Sequence, residues 1–260
     1  MANPTDATPW VRALRASHDR LAGLVAGLDG DQLRAQSYDT DWTVADVLSH
    51  LGSGAEIFSR YVDAGVTGGD PPAFEEFKPI WETWNARSPE DQAAQSVAAN
   101  ETLVRRVESL TAEQRAAFRV TMFGRMPVDL AGVLGLRLSE HAVHAWDIAV
   151  ALDPTATVAQ DAVELLIDRI PMMVGFTGKQ APAPVKIAVS TTAPERAFTL
   201  DTGGVTLDPA AADDAPAASL SLPAEALLRL VYGRLDDDDH GGVRASGVTL
   251  TDLKPVFPGF

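Results

Sequence analysis

Cysteine is absent from the 260-residue chain. Its absence excludes disulfides, thiolate metal sites, iron–sulfur clusters and a cysteine nucleophile. Any thiol chemistry has to borrow its sulfur from a small molecule. Positive charge is scarce as well. The 21 Lys and Arg, only four of them Lys, stand against 36 Asp and Glu, for a net charge of −15 with His neutral. A non-specific nucleic-acid binder needs a basic face to displace counterions, and docking on anionic membranes needs the same. Neither partner is expected. No run reaches the ~18 apolar residues of a membrane-spanning helix. The opening residues, Met1-Ala-Asn-Pro-Thr-Asp6, lack the basic region and apolar stretch of a secretory signal. The reading is a soluble, cytoplasmic chain, monomeric or dimeric.

What is present is enough apolar material, 46% of residues, to build real cores. Periodic apolar spacing predicts helices over 9–28, 43–64, 88–110, 128–152 and 158–174. Thr43 and Asp46 form a capping-box variant at the start of the second, and Ser88-Pro89 opens the third. Between them, a segment rich in Phe and Trp up to Trp84 reads as a loop. Four long helices make a bundle, assigned to residues 1–175. Gly178 to Pro184 reads as a linker. Residues 180–260 hold short strand-like runs (185–190, 197–200, 205–207, 218–222, 243–246) and one helix from Pro223 to Tyr232, a small α+β domain. The acidic run Asp236–Asp239 reads as a solvated loop tip.

The chemistry concentrates in the fourth long helix, in Arg137-Leu-Ser-Glu140-His141-Ala-Val-His144-Ala-Trp-Asp147. Glu140 and His144 fall about 40° apart on a helix, flanked by Arg137 and Asp147. The rest of that helix is apolar around its circumference, which marks it as buried. Buried ionisable groups must be paired, bonded to a metal or shifted in pKa. A Glu and a His one turn apart can grip one ion, and His50, in the apolar second helix, is the candidate third ligand. Two histidines and a carboxylate suit a catalytic zinc site or a non-haem iron triad. His141 is an alternative to His144, pointing about 60° away from it. His18 and His240 read as surface residues.

Two segments taken together, Trp42-Thr-Val-Ala-Asp-Val-Leu-Ser-His50-Leu51 and Arg137-x-x-Glu140-x-x-x-His144-x-x-Asp147, about 90 residues apart, resemble the mycothiol-dependent maleylpyruvate isomerase family. The resemblance implies a DinB-like four-helix bundle followed by a small sterol-carrier-like α+β domain. The matching features of the tail are 218–222, the Pro-initiated helix to Gly233-Arg234, and 243–247. It also implies zinc, or another divalent metal, on His50, Glu140 and His144, with mycothiol as co-substrate.

On that basis the expected partners are a small-molecule thiol and an electrophilic substrate. The expected activity is maleylpyruvate cis–trans isomerisation or thiol S-transfer, at a site between the two domains. Arg137 is a candidate to grip an anionic substrate or to close an internal salt bridge. Asp147 is a candidate to orient a ligand imidazole, and Arg234 to reach the site from the tail domain. Two other readings stand beside this one. In one, the chain is a non-catalytic metal- and small-molecule- or lipid-binding protein. In the other, it is a metal-dependent hydrolase using metal-activated water.

Overall fold

Side-chain caps set where several of the helices begin in the computed structural model, which describes residues 6–211, 216–236 and 242–259. α1 (Thr8–Val25) carries Pro9 in its first turn, where a missing N–H costs nothing. α2 (Gly30–Arg34) is a short helix with Asp29 and Gln32 in a reciprocal capping box. α3 (Val44–Thr67) opens on the expected box: the Asp46 N–H donates to Thr43 Oγ1 at 3.2 Å, and the Thr43 N–H donates to Asp46 Oδ2 at 2.9 Å. A cap of this kind contributes about 1 kcal/mol.

The segment expected to be a loop up to Trp84 is instead a 3₁₀ turn (Phe74–Glu76) running into α4 (Phe77–Asn85). Phe77, Ile80 and Trp84 form its buried face. Exposed Phe74 and Trp81 blur that period in the sequence. α5 (Pro89–Glu108) follows, then α6 (Ala112–Ala117) and an antiparallel hairpin of β1 (Val120–Met122) and β2 (Met126–Val128). In α7 (Leu130–Leu152) the N-cap Asp129 accepts from the Gly132 N–H at 2.8 Å. The long helices α1, α3, α5 and α7 are the bundle: α3 packs against α5 and α7, and α1 packs against the same two. One core cluster joins Leu21, Val44, Val47, Leu48, Leu51, Ala93 and Ile148, with Trp42 packed over it.

The chain divides into two compact units, Met1–Thr157 and Val158–Phe260. The sequence places this boundary later, between 175 and 180, because residues 158–174 repeat the apolar spacing of the bundle helices. That stretch is α8 (Gln160–Leu166), a 3₁₀ turn (Ile167–Arg169) and the start of α9 (Ile170–Thr177), and it packs within the second unit, on the helix and sheet that follow. Periodicity marks a buried face and says nothing of what will cover it. The proposed linker is likewise tied in: the Lys179 N–H donates to the Val256 carbonyl and the Ala181 N–H to the Thr202 carbonyl.

The second unit is built on a sheet of β3 (Lys186–Thr192), β4 (Arg196–Asp201), β5 (Thr206–Pro209), β6 (Ala218–Pro223) and, after α10 (Ala224–Val231), β7 (Arg244–Ser246); α11 (Leu250–Leu253) follows. The strand order is β5-β4-β3-β6-β7, with β3 parallel to β6 and the other pairs antiparallel. On β3, Ile187, Val189 and Thr191 alternate inward. These strands and α10 match the sequence expectation closely. Among the described residues no helix is long and apolar enough to cross a membrane.

Candidate metal centre

His50 projects from α3, while Glu140 and His144 project one turn apart from α7. Their donor atoms lie within 4.8 Å of one another. His50 Nε2 is 3.3 Å and His144 Nε2 is 3.7 Å from the same oxygen, Glu140 Oε2. Metal–ligand bonds of ~2.0–2.1 Å in a tetrahedral zinc site put neighbouring donors about 3.3–3.5 Å apart. The spacing therefore fits an ion of that size. Behind this set, His144 Nδ1 lies 2.8 Å from Asp147 Oδ2. An ionised carboxylate only accepts, so Nδ1 carries a proton, and Nε2 is the ring nitrogen that faces Glu140.

The two imidazoles meet edge-on with centroids 4.5 Å apart, and the Trp42 indole packs 5.2 Å from His50 and 6.0 Å from His144. The side chains of His50 and Glu140 are each 32% exposed, whereas that of Asp147 is fully buried. The site is thus reachable from outside on one side and walled on the other.

The electrostatics follow from this packing. Burial pushes the His50 imidazole below the usual histidine value, against the pull of Glu140. Burial would raise the Glu140 carboxyl, yet hydrogen bonds to both imidazoles hold it well below the carboxylate range. Burial also opposes charge on His144, but the Asp147 and Glu140 carboxylates outweigh it and raise its pKa. The result is an ionised carboxylate facing two imidazoles at one point, a donor set that a divalent cation would satisfy.

The other sequence candidates fall elsewhere. Arg137 is buried between helices, its Nη2 donating to the Leu51 carbonyl at 2.7 Å and to Asn100 Oδ1 at 2.6 Å. It closes no salt bridge with Glu140 or Asp147, contrary to one expectation. Arg234 is buried within the second unit, where its Nη1 donates to the Tyr232 carbonyl at 2.8 Å. His141 faces α1, with Nδ1 2.8 Å from Ser17 Oγ, and does not join the ligand cluster. His18 is not a surface residue: it is 4% exposed and its Nε2 sits 3.0 Å from Glu101. An amphipathic helix edge can be covered by a neighbour that the sequence does not name. In the acidic run, Asp236 pairs with Lys254; Asp237–Asp239 and His240 lie outside the described residues.

Sequence reasoning missed Asn100, which anchors Arg137. A signal was available: Gln92, Ser96 and Asn100 repeat every fourth residue of α5, and all three are buried. Two of the three side chains are hydrogen-bonded, Gln92 to the Trp84 carbonyl and Asn100 to Arg137 and to the Leu51 and Ser96 carbonyls.

Residues 14–149 match the model of the mycothiol maleylpyruvate isomerase N-terminal domain. The chain belongs to that family.

The family fold extends beyond that domain. The crystal structure of the mycothiol-dependent maleylpyruvate isomerase superposes with a TM-score of 0.68, covering 93% of each chain at 15% identity. Its DinB-like four-helix bundle is the fold seen here. A sterol carrier protein 2-like chain from Aedes aegypti reaches a TM-score of only 0.25 over 35% of this chain, too little to support the resemblance of the tail. An uncharacterized protein of Mycobacterium tuberculosis (strain H37Rv) is 25% identical over 174 residues, 67% of this chain and 82% of its own length. A protein of Geobacillus thermodenitrificans, provisionally named a metal-dependent hydrolase, is 36% identical over 73 residues, 28% of this chain and 40% of its own length.

Proposed function

We propose that this chain is a zinc-dependent enzyme that activates a low-molecular-weight thiol, mycothiol, for attack on an electrophilic small molecule in the cytoplasm. The observation that carries this reading is the convergence of His50, Glu140 and His144 in a member of the mycothiol maleylpyruvate isomerase family. The absence of cysteine is consistent with it, because the sulfur must then come from a co-substrate.

His50, Glu140 and His144 would hold the metal, and two neutral imidazoles with one carboxylate would leave the centre at net +1. When bound, zinc would supply the positive charge that lowers the pKa of a thiol. The remaining work belongs to the chain. Asp147 fixes the tautomer and ring plane of His144. Trp42 covers one side of both imidazoles, and the exposed side of His50 and Glu140 admits the small molecules.

For an unsaturated diacid such as maleylpyruvate, the thiolate sulfur forms a bond to one alkene carbon and the alkene pair moves into the conjugated carbonyl. The former double bond then rotates as a single bond. Reversal expels the thiolate and leaves the trans isomer, so nothing is consumed. With a leaving group on the electrophile, the same attack is an S-transfer.

Metal analysis of the purified chain tests the reading. Wild type should carry about one zinc per chain, as a single closed set of donors allows, and the His50→Ala/His144→Ala variant should carry little. Equally little in both would sink it. A metal-dependent hydrolase is the second reading, favoured by the name of the Geobacillus relative. Turnover that needs no added thiol would support that reading instead.

A further inference from the structure

The two imidazoles of the centre are held in place by different means. A ligand histidine as a rule donates its second ring N–H to a carboxylate, a carbonyl or water. His144 does so through Asp147, 2.8 Å away. His50 has no such partner among the described residues: its one side-chain hydrogen bond joins Nε2 to Glu140 Oε2 at 3.3 Å. What it has instead is an aromatic neighbour. The Trp42 indole lies 5.2 Å from the His50 ring, tilted by 43°, and 6.0 Å from the His144 ring, within 28° of parallel. One rigid ring system therefore packs against both imidazoles, which come from different helices.

The indole is itself held from two directions. Trp42 immediately precedes Thr43, the N-cap of α3, and packs on the core cluster that contains Val47, the arrangement of a hydrophobic staple. Its carbonyl accepts from the Ser37 N–H at 3.0 Å, Ser37 Oγ at 2.8 Å and Gln36 Nε2 at 2.7 Å. The same loop is fastened to α7, where the Tyr38 N–H donates to the Asp147 carbonyl at 3.1 Å and the Tyr38 ring packs 4.8 Å from Trp146. Asp147 thus orients His144 with its side chain and anchors the loop of Trp42 with its main chain. A staple needs only an apolar side chain at this position. An indole that meets two ligand rings, from a loop tied to the second ligand helix, does more.

We propose that Trp42 is a positioning residue of the metal centre: its indole fixes the plane of the His50 ring, as Asp147 fixes that of His144, and residues 36–43 set where the indole stands by bonding to α7 at Asp147. The inference rests on the reading of His50, Glu140 and His144 as metal ligands. It gives the centre two supports of different chemistry, a charged hydrogen bond on α7 and an aromatic face on α3.

Cobalt(II) is the probe, because its visible absorption bands report the geometry of its ligand set. It is titrated into the full chain as wild type, Trp42→Met and Trp42→Phe. In the same three proteins without metal, the side-chain couplings of His50, assigned by their loss in His50→Ala, show whether the ring keeps one rotamer. Wild-type His50 should keep one. Trp42→Met retains an apolar staple without a flat ring, so His50 should average over several rotamers and cobalt should bind roughly 10-fold more weakly, with altered bands. Trp42→Phe, which restores an aromatic face, should fall between the two. An unchanged cobalt affinity or an unchanged His50 rotamer in Trp42→Met would overturn the proposal, and Trp42 would then be a staple alone, whatever its effect on the thermal midpoint. Couplings already averaged in wild type would overturn it as well. A wild type that takes up no cobalt would instead sink the reading of the centre, and the His50 couplings then decide this inference by themselves. If circular dichroism shows that Trp42→Met does not fold, Trp42→Phe takes its place, and wild-type affinity and rotamer in that variant would overturn the proposal.

Discussion

His144 Nδ1 and Asp147 Oδ2 lie 2.8 Å apart on one face of α7, with the Asp147 side chain fully buried. This contact aims the other ring nitrogen of His144 at the point where His50 and Glu140 also converge. A carboxylate behind a ligand imidazole raises the basicity of the ligand and locks its plane. Asp147→Asn keeps the shape and removes the charge. Zinc affinity, measured by competition with a chromophoric chelator, should fall roughly 10–100-fold. Wild-type affinity in the variant would show that Asp147 serves only the packing between helices.

His18 and His141 give the fold a dependence on pH. Burial pushes both imidazoles below the ordinary histidine value, His141 well below it, and Glu101 opposes the shift only at His18. The unfolded chain therefore takes up protons near pH 6.5 that the folded chain refuses. The stability these two contribute is complete above that pH and is lost as the pH falls through and below it. His144, whose pKa is raised in the metal-free protein, acts in the opposite direction. The two can be separated by comparing wild type with His141→Gln. Between about pH 7.5 and pH 5.5, where acidic side chains remain ionised, the thermal midpoint should drop less steeply in the variant. Parallel slopes would refute the assignment.

Gly52 lets the Trp84 ring lie flat against α3, since a Cβ there would come 2.0 Å from the indole. Gly52→Ala raises intrinsic helix propensity by about 1 kcal/mol, yet the ring is itself buried and has no room to retreat. Overpacking of this kind costs typically 1–3 kcal/mol, so the net effect should be destabilisation. Urea unfolding would show a lower midpoint at an unchanged slope. A midpoint equal to or above that of wild type would mean that α4 moves away at no cost.

Much of the fold was legible because it rests on local signals. The capping pair Thr43 and Asp46, the Ser88-Pro89 start of α5 and the alternation along β3 each act within a few residues. The same holds for half of the candidate site: Glu140 and His144 share a face of one helix wherever that helix is placed. Signals failed where a neighbour decides the outcome. The period of α4 was hidden by aromatics that stay exposed, and residues 158–174 show an apolar face whose partner lies in the second unit.

The sequence by itself determined which segments coil, which faces seek burial, and that any reactive sulfur must be supplied by another molecule. Only the tertiary structure decided the rest. It brought His50 within 3.3 Å of a carboxylate 90 residues away, turned His141 towards α1 rather than towards the metal ligands, and left Arg137 buried without a counter-charge. Helical periodicity fixes an angle about one axis. The meeting of two side chains depends on how two axes pack, and that is set by shape and burial across the whole bundle.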